Sequence, residues 1–277
     1  MTHPARRLIR RLRGVRDDPS MPPPAPVSPE TWAGIAGAGV IGATGGSGTR
    51  VLARIVLRGG MFIGSDRNRS EDALDFAAFS DRWVDEVVAG RRSAAMTDEL
   101  RALVARQWAE RGGDGPWGWK EPRSVYLLPF LAEELPGLRF LHVVRDGRDM
   151  ALSDNQVQLR KHGAAVLGDG GGELSPLRSI ELWSEVNVRA ADYGERELGP
   201  RYLRIRFEDL CADPPAVTAE VLGFFGQHGD AALIAGEEVS PPPSLGRWRD
   251  EDASTIAELA AAAGGALRRF GYQSSSE

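Results

Sequence analysis

A glycine-rich turn stands between an apolar run and a helical pattern early in the sequence. The turn reads Gly45-Gly46-Ser47-Gly48-Thr49, and the apolar run before it covers residues 38–43. Glycines allow several backbone N–H groups to converge on one anion, and the N-terminus of a following helix adds a partial positive charge. The order of strand, glycine turn and helix therefore predicts an anion site at residues 45–50.

This turn matches neither of two common nucleotide-binding motifs. A Walker P-loop has a Lys directly before its hydroxyl residue, whereas Gly48 precedes Thr49 here. The dinucleotide fingerprint, G-x-G-x-x-G with an acidic residue at the end of a second strand, is not matched either. Taken alone, the turn is also compatible with a tight connection that binds nothing.

A second candidate anion site follows the apolar run at residues 139–144. Arg145 stands at the end of this predicted strand, and Asp146-Gly147 is typical of a turn. Ser153, eight residues after Arg145, is expected about two turns into the next helix. A guanidinium and a hydroxyl placed in this way can flank a single anion.

Together the two motifs resemble those of the sulfotransferase family. In that family the first loop binds the 5′-phosphosulfate of 3′-phosphoadenylyl sulfate (PAPS), and an Arg-x7-Ser element binds the 3′-phosphate. Residues 117–123 are similar to the Lys-x-Pro segment of the tyrosylprotein sulfotransferase-like branch and its bacterial relatives. Residues 203–210 resemble the family's late strand with its acidic turn, and residues 244–249 resemble the C-terminal basic loop over the cofactor.

The resemblance implies a role for each matching residue. The residues implied to bind PAPS are Gly45, Gly46, Ser47, Gly48, Thr49, Arg50, Arg123, Arg145, Ser153, Arg247 and Arg249. Lys120 matches the family's lysine and is the implied cation at the leaving group. The tyrosylprotein-type relatives use a Glu as the base, and counting onward from the first loop brings that position to Asp66. Glu71 and Asp72 are nearby alternatives for the base.

The chain departs from the family pattern in the first loop. Relatives usually carry Lys or Arg directly before the hydroxyl and glycine core of this loop, and Gly46 occupies that position here. Arg50, one residue past Thr49, is expected to supply the missing charge and is therefore a further catalytic candidate. Arg123 is the alternative source of that charge.

Sulfuryl transfer from PAPS to a hydroxyl is an in-line displacement. Cations and N–H dipoles stabilise the charge that builds on the bridging oxygen, while a base takes the acceptor proton. We expect no metal, since four His and one Cys form no common ligand pattern. The expected product is 3′,5′-adenosine bisphosphate (PAP), and the acceptor is a carbohydrate, lipid, peptide or small metabolite. Two alternatives stay open: a P-loop nucleotide kinase or phosphotransferase, and a catalytically silent nucleotide-binding relative.

The elements that position these motifs predict an α/β fold. Predicted strands cover residues 38–43, 61–64, 117–119 and 139–144, and predicted helices cover residues 71–89, 97–110, 124–135 and 176–198. Alternating strands and helices indicate a P-loop-like three-layer fold, with a central, mostly parallel sheet flanked by helices and a ligand crevice at the strand carboxyl ends. The helices at 71–89 and 97–110 are expected to form a lobe over the site.

The bulk properties favour one catalytic domain. Residues 31–272 are predicted to form a sulfotransferase domain, after a basic, proline-rich arm and linker at 1–30 and before a frayed tail at 273–277. The net charge of −5 argues against a general nucleic-acid binder. The arginine-rich arm is expected to be a solvated tail, with weak contact to an anionic membrane surface as the alternative.

The remaining signals concern location and single residues. No apolar run is long enough for a membrane helix, no signal-peptide core follows the first arginines, and Cys211 has no cysteine partner, so a cytoplasmic location is expected. His142, inside an apolar strand, is predicted to be a core residue. His162 is expected at the surface, with the acceptor site as its alternative. Residues 168–172 indicate a flexible loop.

Overall fold

The computed structural model describes residues 28–168 and 173–272 of the chain. The predictions for the N-terminal arm, the tail and most of the 168–172 loop lie outside these residues. The first described element is a short helix, α1 (Pro29–Gly34). Within the described ranges, no helix has the length and apolar character needed to cross a membrane.

A four-stranded parallel sheet forms the centre of the fold. Its strands are β1 (Gly39–Ala43), β2 (Gly118–Lys120), β3 (Arg139–Val144) and β4 (Tyr202–Arg206), in the spatial order β2-β1-β3-β4. Because all pairs are parallel, the carboxyl ends of the strands meet at one edge of the sheet. The predicted α/β class with a parallel central sheet is confirmed.

Helices cover both faces of this sheet. The further helices are α2 (Thr49–Arg58), α3 (Leu74–Val88), α4 (Ala94–Glu110), α5 (Ser124–Glu134), α6 (Gly147–Ala151), α7 (Val157–Leu167), α8 (Pro176–Tyr193), α9 (Phe207–Ala212), α10 (Pro214–Phe224), α11 (Ala231–Glu238) and α12 (Ala253–Arg269). Side chains alternate along each strand, as the pleat requires. Val40 and Phe140 therefore pack with α3, α5 and α8, whereas Ile41 and Leu141 pack with α2 and α10 on the opposite face.

The prediction of a strand at residues 61–64 is wrong. Only Phe62 pairs with the sheet, through a single parallel bridge to Trp117. Its N–H donates to the Pro116 carbonyl, and its carbonyl accepts from the Gly118 N–H. Gly64 then takes a left-handed conformation with φ of 87°. That conformation turns the chain away from the sheet, so the pairing ends after one residue.

His142 is a core residue, as predicted. It is completely buried in β3, where its Nδ1 lies 2.6 Å from the Tyr202 hydroxyl and its Nε2 lies 2.8 Å from Asn187 Oδ1. The amide oxygen only accepts, so Nε2 carries the proton and Nδ1 accepts from Tyr202. Burial lowers the pKa of His142 to about 4, against the weaker opposing effect of the Asn187 hydrogen bond.

Acid is expected to destabilise the fold in part through His142. The unfolded chain holds this histidine near its ordinary pKa of about 6.5 and therefore binds more protons than the folded chain between pH 6.5 and 4. The free energy of unfolding should fall as the pH drops through this window, by about 3 kcal/mol from this residue. Denaturant unfolding of wild type and His142→Gln at about pH 7 and about pH 4 measures the difference.

The exposed His228 provides the matched control for this measurement. His142→Gln should make the pH dependence less steep than that of the wild type, and His228→Gln shows what the loss of an exposed imidazole does by itself. If the free energy of unfolding of His142→Gln depends on pH as that of the wild type does, the buried imidazole does not cause the loss of stability in acid.

Candidate active site

A cleft of about 540 Å³ opens at the carboxyl edge of the sheet. The segments that follow β1, β2 and β3 all contribute to its lining, and Phe207 at the end of β4 does so as well. The two predicted anion sites therefore belong to one groove, with Thr49 and Arg145 both in its wall.

Contacts divide the cleft lining into two neighbouring groups. The first contains the glycine turn, Arg50, Arg145, Phe207 and Ser244. The second lies around Lys120, and its other members are Asn68, Ser70, Asp72, Ala77, Glu121, Arg123 and Lys161. The first group has the features of an anion site, whereas the second combines acidic, basic and hydroxyl side chains.

The glycine turn adopts a conformation that side chains disfavour. Gly46 and Gly48 both have left-handed backbones, with φ of 85° and 86°. A Cβ at Gly48 would collide with the ring of Phe207. No side chain caps α2, so the first N–H groups of that helix are left for another acceptor. The turn therefore leaves N–H groups free for an acceptor, and its role as an anion site stays a prediction.

Gly48→Ala is expected to lower the free energy of unfolding by about 2–4 kcal/mol, because the added methyl group meets both backbone strain and the Phe207 ring. Gly45→Ala is the matched control in the same turn, since its nearest non-neighbouring atom lies 3.6 Å from the new Cβ and its φ is not left-handed. The control should cost less than about 1 kcal/mol. Denaturant titration of both variants measures the difference. Equal losses of stability would contradict the requirement for glycine at position 48.

Arg145 is buried at the end of β3 and joins three segments. Its Nη2 donates to Asp149 Oδ2 at 2.8 Å and to the Ser244 hydroxyl at 3.2 Å, and its Nη1 lies 3.5 Å from the Gly46 carbonyl oxygen. Asp149 also accepts from the backbone N–H of Gly246 at 2.7 Å. The guanidinium is therefore held between the glycine turn and the C-terminal loop.

The predicted position of Ser153 within a helix is wrong. Helix α6 ends at Ala151, because the Gln156 amide donates to the carbonyls of Met150 and Ala151 and so replaces the next helical donors. Ser153 lies beyond this end, where its hydroxyl accepts from the Asn155 N–H at 3.2 Å. It is not among the residues that line the cleft.

Three other implied binding residues also lie outside the cleft lining. Ser47 is buried and donates to the Thr44 carbonyl at 2.8 Å. Arg247 donates to the Leu152 carbonyl at 3.2 Å, which attaches the C-terminal loop to the end of α6. Arg249 is exposed, and its guanidinium lies 4.7 Å from the ring centre of Trp248. The cofactor roles implied for these residues remain predictions.

Lys120 lies at the end of β2 and is almost completely buried, with 2% of its surface exposed. Its ammonium donates to the Ser70 carbonyl at 2.9 Å and forms an ion pair with Asp72. Burial lowers the pKa of Lys120, and the Asp72 carboxylate opposes this shift. A desolvated cation in a cleft wall is suited to charge stabilisation.

Arg123 and Arg50 differ in how many polar partners their guanidinium groups have. All three side-chain nitrogens of Arg123 are engaged, by Glu121, Asp81 and the Ala77 carbonyl. Arg50 is exposed at the cleft, and no carboxylate pairs with it in the described part of the chain. Arg50 is therefore the more available of the two cations proposed to replace the missing loop charge.

Asp66 lies outside the cleft and lines a separate cavity of about 40 Å³. The loop at residues 64–73 folds back on itself through a bridge between Arg67 and Ala73, and the Ala73 N–H donates to the Lys120 carbonyl. This fold brings Asp72, the alternative to Asp66, to the Lys120 ammonium.

The expected lobe over the site is formed only in part. Helix α3 borders the cleft through Ala77, whereas α4 packs against α3 and contributes no residue to the lining. The prediction of His162 at the surface is also wrong. His162 is buried, and its Nδ1 lies 2.7 Å from Asp85 on α3.

The sequence patterns did not identify three polar residues of the cleft, Asn155, Gln158 and Lys161. They belong to α7 and the turn before it, which carry no short motif. Lys161 forms an ion pair with Asp81 across the α3–α7 contact. The one sequence feature that could have indicated these residues was the neighbouring His162, for which the acceptor site was an alternative position.

Comparison with known proteins places this geometry in context. The family model described as "Sulfotransferase family" matches residues 45–230. Mouse carbohydrate sulfotransferase 5 is 34% identical over 109 residues, and the match covers 36% of this chain and 28% of that protein. Human carbohydrate sulfotransferase 6 is 33% identical over 109 residues, with the same coverage. The similarity thus spans little more than a quarter of these relatives.

Solved structures share the fold at low sequence identity. A sulfotransferase from Mycobacterium avium gives a TM-score of 0.56 at 13% identity, over 88% of this chain and 80% of that one. A sulfotransferase from Alicyclobacillus acidocaldarius gives a TM-score of 0.51 at 15% identity, over 84% of this chain and 93% of that one.

Proposed function

The chain belongs to the sulfotransferase family, and from this premise we propose that it transfers a sulfuryl group from PAPS to a hydroxyl acceptor by in-line displacement. The observation that carries the proposal is the convergence of the glycine turn, Lys120 and Arg145 in one cleft. Three strand ends supply them, so their juxtaposition is a property of the fold and not of one local motif.

The cleft residues fit a nucleotide that carries two separate anionic groups. The uncapped start of α2 and the left-handed glycines present N–H groups, which suit the 5′-phosphosulfate. Arg145, in the neighbouring wall, would hold the 3′-phosphate with charge-assisted hydrogen bonds. Arg50 would supply the cation that relatives carry at the position of Gly46.

PAPS, when bound, supplies the sulfuryl group and leaves as PAP. Lys120 would place its ammonium near the bridging oxygen and stabilise the negative charge that develops there. The N–H groups of the glycine turn would contribute fixed dipoles to the same end of the ligand. Because Lys120 is almost completely buried, its charge acts in a poorly solvated environment.

We propose Asp72 as the base that accepts the acceptor proton, in place of Asp66. Asp72 lines the cleft with 20% of its side chain exposed, whereas Asp66 borders another cavity. Glu121 also lines the cleft but is fully engaged by Arg123 and Ser80, and burial raises its pKa against the opposing effect of Arg123. When Lys120 turns to the nucleotide, its ion pair with Asp72 weakens and the carboxylate becomes available.

A carbohydrate is the acceptor class that we favour. Two curated relatives are named carbohydrate sulfotransferases. The group around Lys120 is rich in hydrogen-bonding side chains, including Asn68, Ser70 and Lys161. Such a surface suits a polyhydroxylated acceptor better than an apolar one, whose burial would leave these groups unpaired.

A titration separates this function from the nucleotide kinase alternative. Calorimetry should show that PAP binds more tightly than ATP with Mg²⁺ and more tightly than NAD, because only PAP presents both a 5′- and a 3′-phosphate to the two anion sites. Tighter binding of ATP with Mg²⁺ would overturn the proposal. Binding of PAP without turnover of any acceptor would instead support a catalytically silent relative.

Arg145→Ala is expected to weaken PAP binding by about 10- to 150-fold, the equivalent of losing about 1.5–3 kcal/mol from a charge-assisted hydrogen bond. The affinity for 5′-AMP, which lacks the 3′-phosphate, should change less than about threefold. Calorimetric titration of both nucleotides with wild type and Arg145→Ala measures this. Equal losses for the two nucleotides would assign Arg145 to holding Asp149 and the C-terminal loop.

A further inference from the structure

A second cavity lies between α3, α5, α7 and α8. Its volume is about 170 Å³. An engineered apolar cavity of about 150 Å³ is large enough to bind benzene. Seven of its ten lining residues are apolar: Val87, Val88, Val125, Pro129, Val166, Val186 and Ala190. The cavity therefore suits a small apolar body.

Two guanidinium side chains, Arg92 and Arg189, complete the lining together with Tyr126. Arg92 donates to the carbonyls of Val87 and Arg91, at 3.4 and 3.0 Å. No carboxylate pairs with Arg92 within residues 28–168 and 173–272. Arg189 is exposed and forms an ion pair with Glu185 through its Nε. Arg92 also lies over the Phe130 ring, with its Cζ 5.3 Å from the ring centre, so its exposed charge faces carbonyls and a ring but, among the described residues, no carboxylate. An apolar cavity with such a cation at its edge is complementary to an amphipathic anion.

This cavity is separate from the cleft, and the two share no lining residue. The Tyr126 hydroxyl donates to Gln158 Oε1 at 3.0 Å, and Gln158 belongs to the cleft wall. The contact between His162 and Asp85 joins α7 to α3 at positions between those that line the two sites. These two contacts form the partition between the sites.

We propose that the cavity binds a small amphipathic acid, with an apolar body of about six to eight carbons among the valines and its carboxylate at Arg92 and Arg189. The apolar body replaces water against seven apolar side chains, which provides the affinity. The guanidinium groups provide the preference for an anion over a neutral or cationic head group.

Octanoate is the probe for this proposal, and octan-1-ol and octylamine are its neutral and cationic counterparts. Calorimetric titration of the full chain should show saturable octanoate binding that is tighter than that of octan-1-ol, with octylamine the weakest. Val166→Phe fills the cavity from a half-buried position and should weaken octanoate binding at least about tenfold. The double variant Arg92→Gln with Arg189→Gln should weaken it roughly 3- to 10-fold and leave octan-1-ol unaffected.

Cooperative thermal unfolding confirms that each variant is folded. Should Val166→Phe fail this check, the double arginine variant decides, since both of its positions are exposed. The proposal is overturned if octanoate shows no saturable binding below its self-association concentration. It is equally overturned if octylamine binds as tightly as octanoate, or if folded variants of both kinds retain wild-type affinity.

Discussion

Lys120→Ala is expected to lower kcat for sulfuryl transfer by about 100- to 1,000-fold, while the affinity for PAP falls less than about tenfold. The ammonium lies buried in the cleft wall, where its charge acts in a poorly solvated environment. Its interaction with the bridging oxygen strengthens as negative charge develops there, so it stabilises the transition state more than the bound donor. Single-turnover rates and PAP titrations of the variant separate the two effects.

Lys161 provides the control for this experiment, because it is the other lysine of the cleft among the described residues. It is exposed and paired with Asp81, whereas Lys120 is buried and paired with Asp72. Lys161→Ala should change kcat less than about tenfold, as expected for an exposed ion pair. If Lys120→Ala loses equal factors in kcat and in PAP affinity, Lys120 is a binding residue and the proposed transition-state role is wrong.

Asp72→Asn is expected to lower kcat by about 100-fold or more, because the amide cannot accept the acceptor proton. Asparagine keeps the size of the side chain and an oxygen that accepts from the Lys120 ammonium. The loss is therefore expected in the chemical step and not in the position of Lys120. Initial rates give the loss in kcat, and PAP titrations give any change in nucleotide affinity.

Asp66→Asn is the matched control, with the same change on the same loop but outside the cleft. It should leave kcat within about twofold of wild type, as exposed substitutions usually do. If Asp72→Asn loses equal factors in kcat and in PAP affinity, Asp72 only positions Lys120 and is not the base.

The central strands and most long helices were predictable from local patterns. β1 and β3 are mostly apolar runs followed by turns with glycine or charged residues, and such runs are typical of strands buried on both faces. Helices α3, α4 and α5 begin within three residues of their predicted starts. The order of these elements then fixed the edge at which the cleft forms.

Counting along the loop predicted Asp66 at the site because it assumes that the loop runs straight, whereas the structure places Asp72 in the cleft and Asp66 outside it. The backbone of Glu71 has a positive φ of 62°, and the Asn68 carboxamide accepts from the Ser70 and Asp72 N–H groups. These local contacts reverse the chain and exchange the expected positions of Asp66 and Asp72. No periodic pattern reports such a turn, since it depends on individual side-chain hydrogen bonds.

The end of α6 and the burial of His162 escaped prediction for a different reason. Both depend on partners that are distant in sequence or supplied by a side chain: Gln156 terminates α6, and Asp85 on α3 pairs with His162. Short apolar periods identify the buried face of a helix but not the polar group of a neighbouring element that contacts it. The cation and carboxylate pairs of the cleft, such as Lys161 with Asp81, belong to the same class of contact.

The most direct test of the proposed activity is transfer of label from ³⁵S-PAPS to an acceptor in a fractionated cell extract. Wild-type protein should produce a labelled, carbohydrate-containing product together with PAP, and Lys120→Ala should produce neither at a comparable rate. The proposed activity is contradicted by two results together. The wild type yields no protein-dependent labelled product from any carbohydrate, lipid, peptide or small-metabolite fraction, and PAP does not bind the cleft.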